Sequence, residues 1–198
     1  MIQAHLAATV EAYGSTLPVF VHTIDHPDGL VLVDTGMIDS LPELDEEWGP
    51  TPHLLPDEIV DRVALVINTH LHFDHCGGNR RFPGVPIHVQ ALELADARSE
   101  EDYTVPAWID FAGATYVEHD GEAEVVPGVR LLPTPGHTRG HQSVLVETDE
   151  GPQLLGGDVA YSFRELGEGA TEGQQRVLDL AVPTWLAHVE RPHVPRRS

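Results

Sequence analysis

Short apolar runs recur along this chain, and turn-forming residues separate them. Residues 17–36 hold two β-rich runs joined by Pro27-Asp28-Gly29, a combination typical of a turn. Residues 63–68, "VALVIN", are continuously apolar and rich in β-branched side chains, which is typical of a strand buried on both faces. Residues 85–89, "VPIHV", predict another short strand. The pattern therefore predicts several strands in the first half of the chain.

The second half continues this pattern with shorter strands. Short β runs between residues 114 and 132 are broken by His119-Asp120-Gly121 and by Pro127-Gly128. Residues 143–158 predict a hairpin whose turn is Asp149-Glu150-Gly151-Pro152. The strands thus fall into two blocks, one in each half of the chain.

Helices are predicted around and between these strand blocks. Asp57 is expected to cap a short helix that ends near Arg62, and residues 90–99 predict a second helix. Residues 171–190 have a helical pattern that Pro183 is expected to kink or divide, and residues 41–56 predict a proline-rich loop. We therefore predict one α/β domain spanning residues 1–198.

Composition narrows the kind of protein without changing this picture. A length of 198 residues is enough to bury a sizeable core, and 41% hydrophobic with 22% charged residues is typical of globular proteins. No apolar run approaches the roughly 18 residues of a membrane span, so no membrane partner is expected. The first residues lack a basic end followed by an apolar stretch. We therefore expect a cytoplasmic protein.

Charge and cysteine content restrict the chemistry further. A net charge of −21 repels phosphate backbones, which makes nucleic acid an unexpected partner. The single cysteine, Cys76, excludes an internal disulfide and a cysteine-rich zinc site. Any metal chemistry must therefore use imidazole and carboxylate groups, and the chain has 13 histidines.

Four metal-binding side chains occur within six positions of residues 68–78, "NTHLHFDHCGG". Residues two apart in extended backbone point to the same side, so His70 and His72 are expected to bind one ion together. The chain must then turn for Asp74 and His75 to face a second ion, and Gly77-Gly78 are expected to give it the conformational freedom to do so. The strand that precedes this segment places it on a loop.

Two distant segments carry matching residues. Residues 134–143, "TPGHTRGHQS", place His137 in a loop rich in proline and glycine, where backbone can approach an ion closely. Residues 154–161, "LLGGDVAY", end a strand at Asp158. Alone, His137 could be an ordinary loop histidine and Asp158 a turn former. In combination with the histidine-rich segment, both are expected to bind metal, because a catalytic site needs ligands from several parts of the chain.

This combination resembles the metallo-β-lactamase superfamily, and within it the N-acyl-homoserine lactonases. The superfamily pattern is His-x-His-x-Asp-His followed by "PGHT" and "GGD", and the "YTVPAW" block with Tyr161 is similar to the lactonase branch. The stretches that carry the resemblance are 31–37, 68–79, 82–90, 101–118, 134–143 and 156–162.

The resemblance implies an αββα sandwich with the ligands at one edge of the two sheets. It implies two divalent ions, zinc first among the metals that such ligands accept. Asp34 resembles a residue that steadies the ligand loops, although a turn former at the strand end is the alternative. The implied ligands are His70, His72 and His137 for the first ion, Asp74 and His75 for the second, and Asp158 between the two.

The end of the chain departs from the family pattern. The family completes its second ion with a late histidine, normally followed by an aspartate, and no such pair occurs here. His188 and His193 are the only candidates, and a surface position is expected for His193. The run around residues 190–194 resembles the approach to the family's last strand, so the ligand is expected beyond Ser198 and the fold is expected to be C-terminally short. On this interpretation the second ion is weakly held or is completed by water.

The implied activity is hydrolysis of an acyl lactone. Bound ions lower the pKa of water from about 15.7 toward about 7, and the resulting hydroxide attacks the lactone carbonyl. Tyr161 is expected to donate a hydrogen bond to the carbonyl oxygen, and Asp74 to pass a proton to the leaving oxygen. The alternatives are a glyoxalase II-like thioesterase, and a metal-binding protein with little or no turnover because the last histidine is missing. The resemblance also implies a homodimer, which no stretch of the sequence itself indicates.

Overall fold

The computed structural model describes residues 1–198 as two β-sheets packed face to face, with helices on their outer faces. The strands are β1 (Ile2–Ala12), β2 (Ser15–His26), β3 (Gly29–Val33), β4 (Thr51–Pro52), β5 (Val63–Ile67), β6 (Pro86–Gln90), β7 (Thr115–His119), β8 (Ala123–Val126), β9 (Val129–Pro133), β10 (Gln142–Thr148), β11 (Gly151–Leu155) and β12 (Thr184–Trp185). The helices are α1 (Pro42–Glu47), α2 (Asp57–Val60), α3 (Phe73–Cys76), α4 (Ala91–Ser99), α5 (Pro106–Ile109), α6 (Phe163–Glu168) and α7 (Glu172–Leu180).

The two sheets differ in size and strand direction. The first has the strand order β4-β1-β2-β3-β5-β6-β7, and the second has the order β12-β11-β10-β9-β8. Strands β3, β5, β6 and β7 run parallel, so their carboxyl ends meet at one edge of the first sheet. In the second sheet β12 runs parallel to β11, which brings their carboxyl ends together in the same way.

Alternating burial explains why the sheets stack. Val31 and Val33 of β3 face the second sheet, where Leu131 of β9 and Val144 of β10 pack against them. Successive side chains in a strand point to opposite faces, so Leu32 of β3 lies on the outer face of the first sheet. Both faces of the central strands are therefore apolar, which accounts for the continuous apolar runs in the sequence.

Helices cover both outer faces, and the αββα sandwich predicted from the resemblance is confirmed. On the second sheet, Leu145 and Leu154 pack against Leu166 of α6 and Val177 of α7. On the first sheet, Val89 of β6 packs against residues of three helices. They are Cys76 of α3, Leu94 and Ala97 of α4, and Ile109 of α5. No helix has both the length and the apolar character that a bilayer span requires.

Most predicted elements are confirmed, and three predictions are corrected. The helix predicted for residues 171–190 ends at Leu180, because Ala181 has a left-handed backbone (φ 52°) and Pro183 has no N–H to continue it. Residues 41–56 contain α1 in addition to loop. Asp57 is the first residue of α2, and Pro56 occupies the capping position. Strand β1 has no counterpart among the predicted elements.

Candidate metal centre

Three imidazoles from two loops converge at one edge of the sheets, as the sequence predicted. The His70 Nε2 atom lies 3.1 Å from His72 Nδ1. The His137 Nε2 atom lies 3.2 Å from His70 Nε2 and 2.9 Å from His72 Nδ1. Nitrogens bound at about 2.0–2.1 Å to one tetrahedral ion would be about 3.4 Å apart, close to these separations. We call these three residues the imidazole cluster.

Local geometry explains how His70 and His72 come together. Both follow β5, and His72 has extended backbone (φ −67°, ψ 155°) immediately before α3 begins. Alternate side chains of the extended segment point the same way, and the first turn of α3 then redirects the chain. His137 reaches the same point from the loop after β9.

Burial keeps the imidazole cluster neutral. It lowers the pKa of His72 to about 3, and it holds the pKa of His70 well below its ordinary value. Burial also lowers the pKa of His137. Neutral imidazoles have free lone pairs, and metal ions bind that form of histidine.

A second group forms around the carboxylate of Asp158. Its Oδ1 atom lies 3.4 Å from His75 Nε2, and its Oδ2 atom lies 3.7 Å from His137 Nε2 in the imidazole cluster. Asp74 Oδ2 lies 3.6 Å from His75 Nε2. The structure therefore brings together all six of the predicted ligands, with one Asp158 oxygen facing each group.

The structure corrects the expectation about the last histidine. His188, three residues after β12, lies with its Nε2 atom 3.3 Å from both oxygens of Asp158, and its side chain is only 2% exposed. His193 is exposed, and its ring packs edge-on against Phe163. Of the two candidate histidines, the structure therefore brings His188 to the site. The last strand, expected after residues 190–194, is β12, which precedes His188.

Electrostatics in the second group differ from those in the imidazole cluster. Burial alone would raise the pKa of Asp158, but the neighbouring His75 and His188 outweigh burial and hold that pKa well below its usual range. Burial acts to lower the pKa of His75, and the carboxylates of Asp158, Asp74 and Asp34 reverse this and raise it. The group therefore combines negative carboxylates with imidazoles that must release protons to bind a cation.

Asp34 holds the two ligand-bearing segments together. One oxygen accepts the backbone N–H of Thr69 at 2.7 Å, and the other contacts the Thr69 hydroxyl at 2.7 Å and His75 Nδ1 at 2.9 Å. Its backbone is left-handed (φ 59°), a strained conformation for a residue other than glycine. These contacts fit the steadying role that the resemblance implied.

Gly77 and Gly78 serve the site in a way the sequence did not predict. Both have helical backbone angles, with φ −60° and φ −85°, so conformational freedom is not the reason for glycine. A Cβ at Gly78 would lie 2.3 Å from the carbonyl oxygen of Thr35, and one at Gly77 would lie 2.6 Å from that of Phe73. Close backbone packing therefore excludes side chains at both positions.

A cavity of about 500 Å³ opens directly onto these groups. The imidazole cluster contributes His72 and His137, and the second group contributes Asp74, Asp158 and His188. The Tyr161 hydroxyl lies 3.4 Å from His137 Nδ1, and burial together with Asp158 raises the pKa of this tyrosine. The rest of the wall is largely apolar: Val10, Leu17, Leu41, Leu44, Trp48, Phe73, Val105 and Pro106.

The residues at this edge fit a divalent cation. His75 Nε2 and Asp158 Oδ1 are both buried and have no hydrogen-bond partner, whereas buried polar atoms are normally paired. Imidazole nitrogen with carboxylate oxygen is a donor set that zinc and similar ions bind. Two sets of three donors are close enough to share an ion: His70 with His72 and His137, and His70 with His75 and Asp158.

The fold and the site together define the class of this protein. The family model of the metallo-beta-lactamase superfamily matches residues 14–181. The chain therefore belongs to the metallo-beta-lactamase superfamily.

Within that superfamily the chain is similar to lactonases. It is 39% identical over 165 residues to an N-acyl homoserine lactonase of a Bacillus species, and 38% identical over 165 residues to N-acyl homoserine lactonase AiiA of Bacillus thuringiensis subsp. kurstaki. Each match covers 74% of this chain and 65% of the relative, so the chain spans about two thirds of the length of these relatives.

Solved structures give the same resemblance. A quorum-quenching N-acyl homoserine lactone lactonase superposes with a TM-score of 0.77 at 27% identity, covering 94% of this chain and 91% of that one. An N-acyl homoserine lactone hydrolase superposes with a TM-score of 0.73 at 27% identity over the same shares, and it has the product N-hexanoyl-L-homoserine bound at its catalytic metal centre.

Proposed function

We propose that this chain is a metal-dependent hydrolase that opens the lactone ring of N-acyl homoserine lactones. The observation that carries the proposal is the largely apolar cavity that opens onto the imidazole cluster and the second group. An acyl lactone has an apolar tail and a compact polar ring, which correspond to these two parts of the cavity. The similarity to N-acyl homoserine lactonases supports the same substrate class.

The ions in this proposal are two divalent cations, with zinc as the first choice. The imidazole cluster would hold one of them. Asp74, His75 and His188 would hold the other, and Asp158 would contact both. When bound, such ions acidify water and polarise an ester carbonyl. The donor set supports this arrangement, since His75 Nε2 and Asp158 Oδ1 are buried and have no hydrogen-bond partner.

Two side chains would act on the substrate itself. Tyr161 retains its proton at neutral pH, because its pKa is raised by burial and by Asp158, so its hydroxyl can donate a hydrogen bond to the carbonyl oxygen. Asp74 lines the same cavity, and its Oδ2 atom can carry a proton to the ring oxygen as it leaves. No covalent nucleophile is needed, and Cys76 is fully buried.

The charge of the cavity favours a neutral substrate over a thioester of glutathione. Apart from Asp74 and Asp158, which would contact the ions, its lining includes three carboxylates and no lysine or arginine: Glu43, Glu47 and Asp102. Glutathione carries two carboxylates, which such a lining repels. A glyoxalase II-like activity is therefore the weaker candidate. The position of His188 also removes the reason for expecting a metal-binding protein without turnover.

Turnover assays on zinc-loaded protein test this proposal. Zinc content is measured first, and the protein is then incubated with N-acyl homoserine lactones and, separately, with acyl-glutathione thioesters. We expect ring-opened acyl homoserine from the lactones and little thioester cleavage. Thioester turnover with inert lactones would favour the glyoxalase II-like alternative, and zinc binding without turnover of either substrate would contradict a hydrolase.

A further inference from the structure

A buried carboxylate outside the candidate metal centre contacts three segments that build it. Glu93, near the start of α4, is 0% exposed. Its Oε1 atom accepts the backbone N–H of Leu71 at 2.7 Å and the hydroxyl of Tyr103, and its Oε2 atom accepts the hydroxyl of Thr138 at 2.6 Å. We call this set of three hydrogen bonds the Glu93 tie.

Each partner in the Glu93 tie belongs to a different part of the site. Leu71 lies between two members of the imidazole cluster, and Thr138 directly follows the third. Tyr103 lines the cavity, and its ring lies 5.1 Å from that of His72. One carboxylate therefore fixes both histidine-bearing loops and one wall of the cavity relative to α4.

Packing around Gly140 independently places the His137 loop on Glu93. A Cβ at Gly140 would lie 2.3 Å from the backbone nitrogen of Glu93 and 2.5 Å from its Cα. The loop and the first turn of α4 are thus in direct backbone contact, and any side chain at this position would separate them. The spacing between the loop and α4 is therefore closely defined.

We propose that Glu93 is a positioning residue that sets the separation of His137 from the His70–His72 segment. It acts through a backbone N–H and two hydroxyl groups beside these histidines, and the resulting preorganisation determines how tightly the imidazole cluster binds an ion. The proposal deepens the function proposed above and rests on it in one respect, namely that the imidazole cluster holds a metal.

Substitution by alanine and by glutamine tests the proposal, with cobalt(II) as the probe. Glu93→Ala removes all three hydrogen bonds, and we expect cobalt affinity to fall by at least about tenfold, with a changed visible spectrum. Glu93→Gln retains the shape. Its amide oxygen can accept from Leu71 and Tyr103, and its amide group can donate to the Thr138 hydroxyl. We therefore expect this variant to resemble the parent protein in both affinity and spectrum.

Three measurements separate positioning from other roles. They are chelator competition for cobalt, the visible spectrum, and the melting temperature of the metal-free protein, with Glu118→Ala as a control for loss of an exposed carboxylate. If Glu93→Ala lowers only the melting temperature and leaves cobalt binding unchanged, the role is merely structural and the proposal fails. If Glu93→Gln loses as much cobalt affinity as Glu93→Ala, the affinity depends on the negative charge of Glu93 and not on its hydrogen-bonding position, and the proposal fails.

A milder variant keeps the test decisive if Glu93→Ala does not fold. Thr138→Val removes one hydrogen bond of the Glu93 tie, and we expect cobalt affinity to fall by up to about fivefold, the most that one net hydrogen bond of average strength contributes. Unchanged affinity in this variant would overturn the proposal. The outcome is independent of the lactone assay, because parent protein that binds cobalt without opening lactones would contradict the proposed function and leave this comparison intact.

Discussion

His188 and Asp158 face each other inside the candidate metal centre, with His188 Nε2 3.3 Å from both carboxylate oxygens. The two residues follow β12 and β11, neighbouring strands that run parallel at the edge of the second sheet. Because parallel strands end on the same side, this pairing delivers an imidazole from late in the chain to a carboxylate 30 positions earlier. His188 therefore joins the second group of the site.

Replacing His188 by alanine should selectively weaken one of the two proposed ions. The imidazole cluster is untouched by the change, so we expect zinc content to fall from about two ions toward about one per chain. Elemental analysis after dialysis against weak chelator measures this. His193→Ala is the matched control, since that side chain is exposed and does not line the cavity. Two tightly held ions in His188→Ala would exclude His188 as a ligand.

Asp34→Asn should reduce metal affinity without removing a ligand. The carboxylate contacts the backbone N–H and the hydroxyl of Thr69 and the Nδ1 atom of His75. An amide in its place has one accepting oxygen, and its nitrogen can only donate. We expect zinc affinity to fall by about 10–100-fold, the range typical of residues that orient metal ligands. Chelator competition measures it, and Asp39→Asn, in an exposed pair with Arg80, is the control. Equal affinities in the two variants would show that Asp34 does not orient His75.

Tyr161→Phe should lower kcat while leaving zinc content and folding intact. The hydroxyl lies beside His137 in the cavity and is proposed to donate to the substrate carbonyl. Loss of one such donor typically costs about 100-fold or more in kcat. Steady-state kinetics with an N-acyl homoserine lactone measures the effect. Tyr116→Phe, whose hydroxyl donates to the backbone of Ile109, is a control outside the cavity. An unchanged kcat would remove Tyr161 from the proposed chemistry.

Local pattern predicted most strands of the α/β domain and its histidine-rich segment, because these signals are short-range, whereas the αββα arrangement was predicted from the family resemblance. The run at 63–68 is apolar enough to define β5, and His70, His72 and Asp74 come directly after it. The elements that pattern missed depend on distant partners. Strand β1 has few strong strand formers, and its long antiparallel pairing with β2 provides its hydrogen bonds.

The position of His188 in the site was not predicted for a related reason. Strand β12 is only two residues long, and it is defined by pairing with Leu154 and Leu155 of β11. No local period marks such a strand, so local pattern does not indicate where the chain returns to the sheet edge. The carboxylate of Glu93 was missed because it lies in a helix whose pattern is ordinary, and its three partners are 10 to 45 positions away.

Leu44→Asp should impair long-chain substrates more than short-chain ones. Leu44, on α1, lines the apolar part of the cavity, where an acyl tail is proposed to lie. Each methylene removed from water contributes about 0.8 kcal/mol, so losing contact with two of them raises KM about 15-fold. We expect the tail of a decanoyl lactone to extend as far as Leu44 and the tail of a butanoyl lactone to end before it. We therefore expect KM to rise for the decanoyl substrate and to change little for the butanoyl one.

Leu54→Asp, at a position that is 62% exposed and outside the cavity, is the control. An equal rise for both substrates would show that the tail does not lie along this wall.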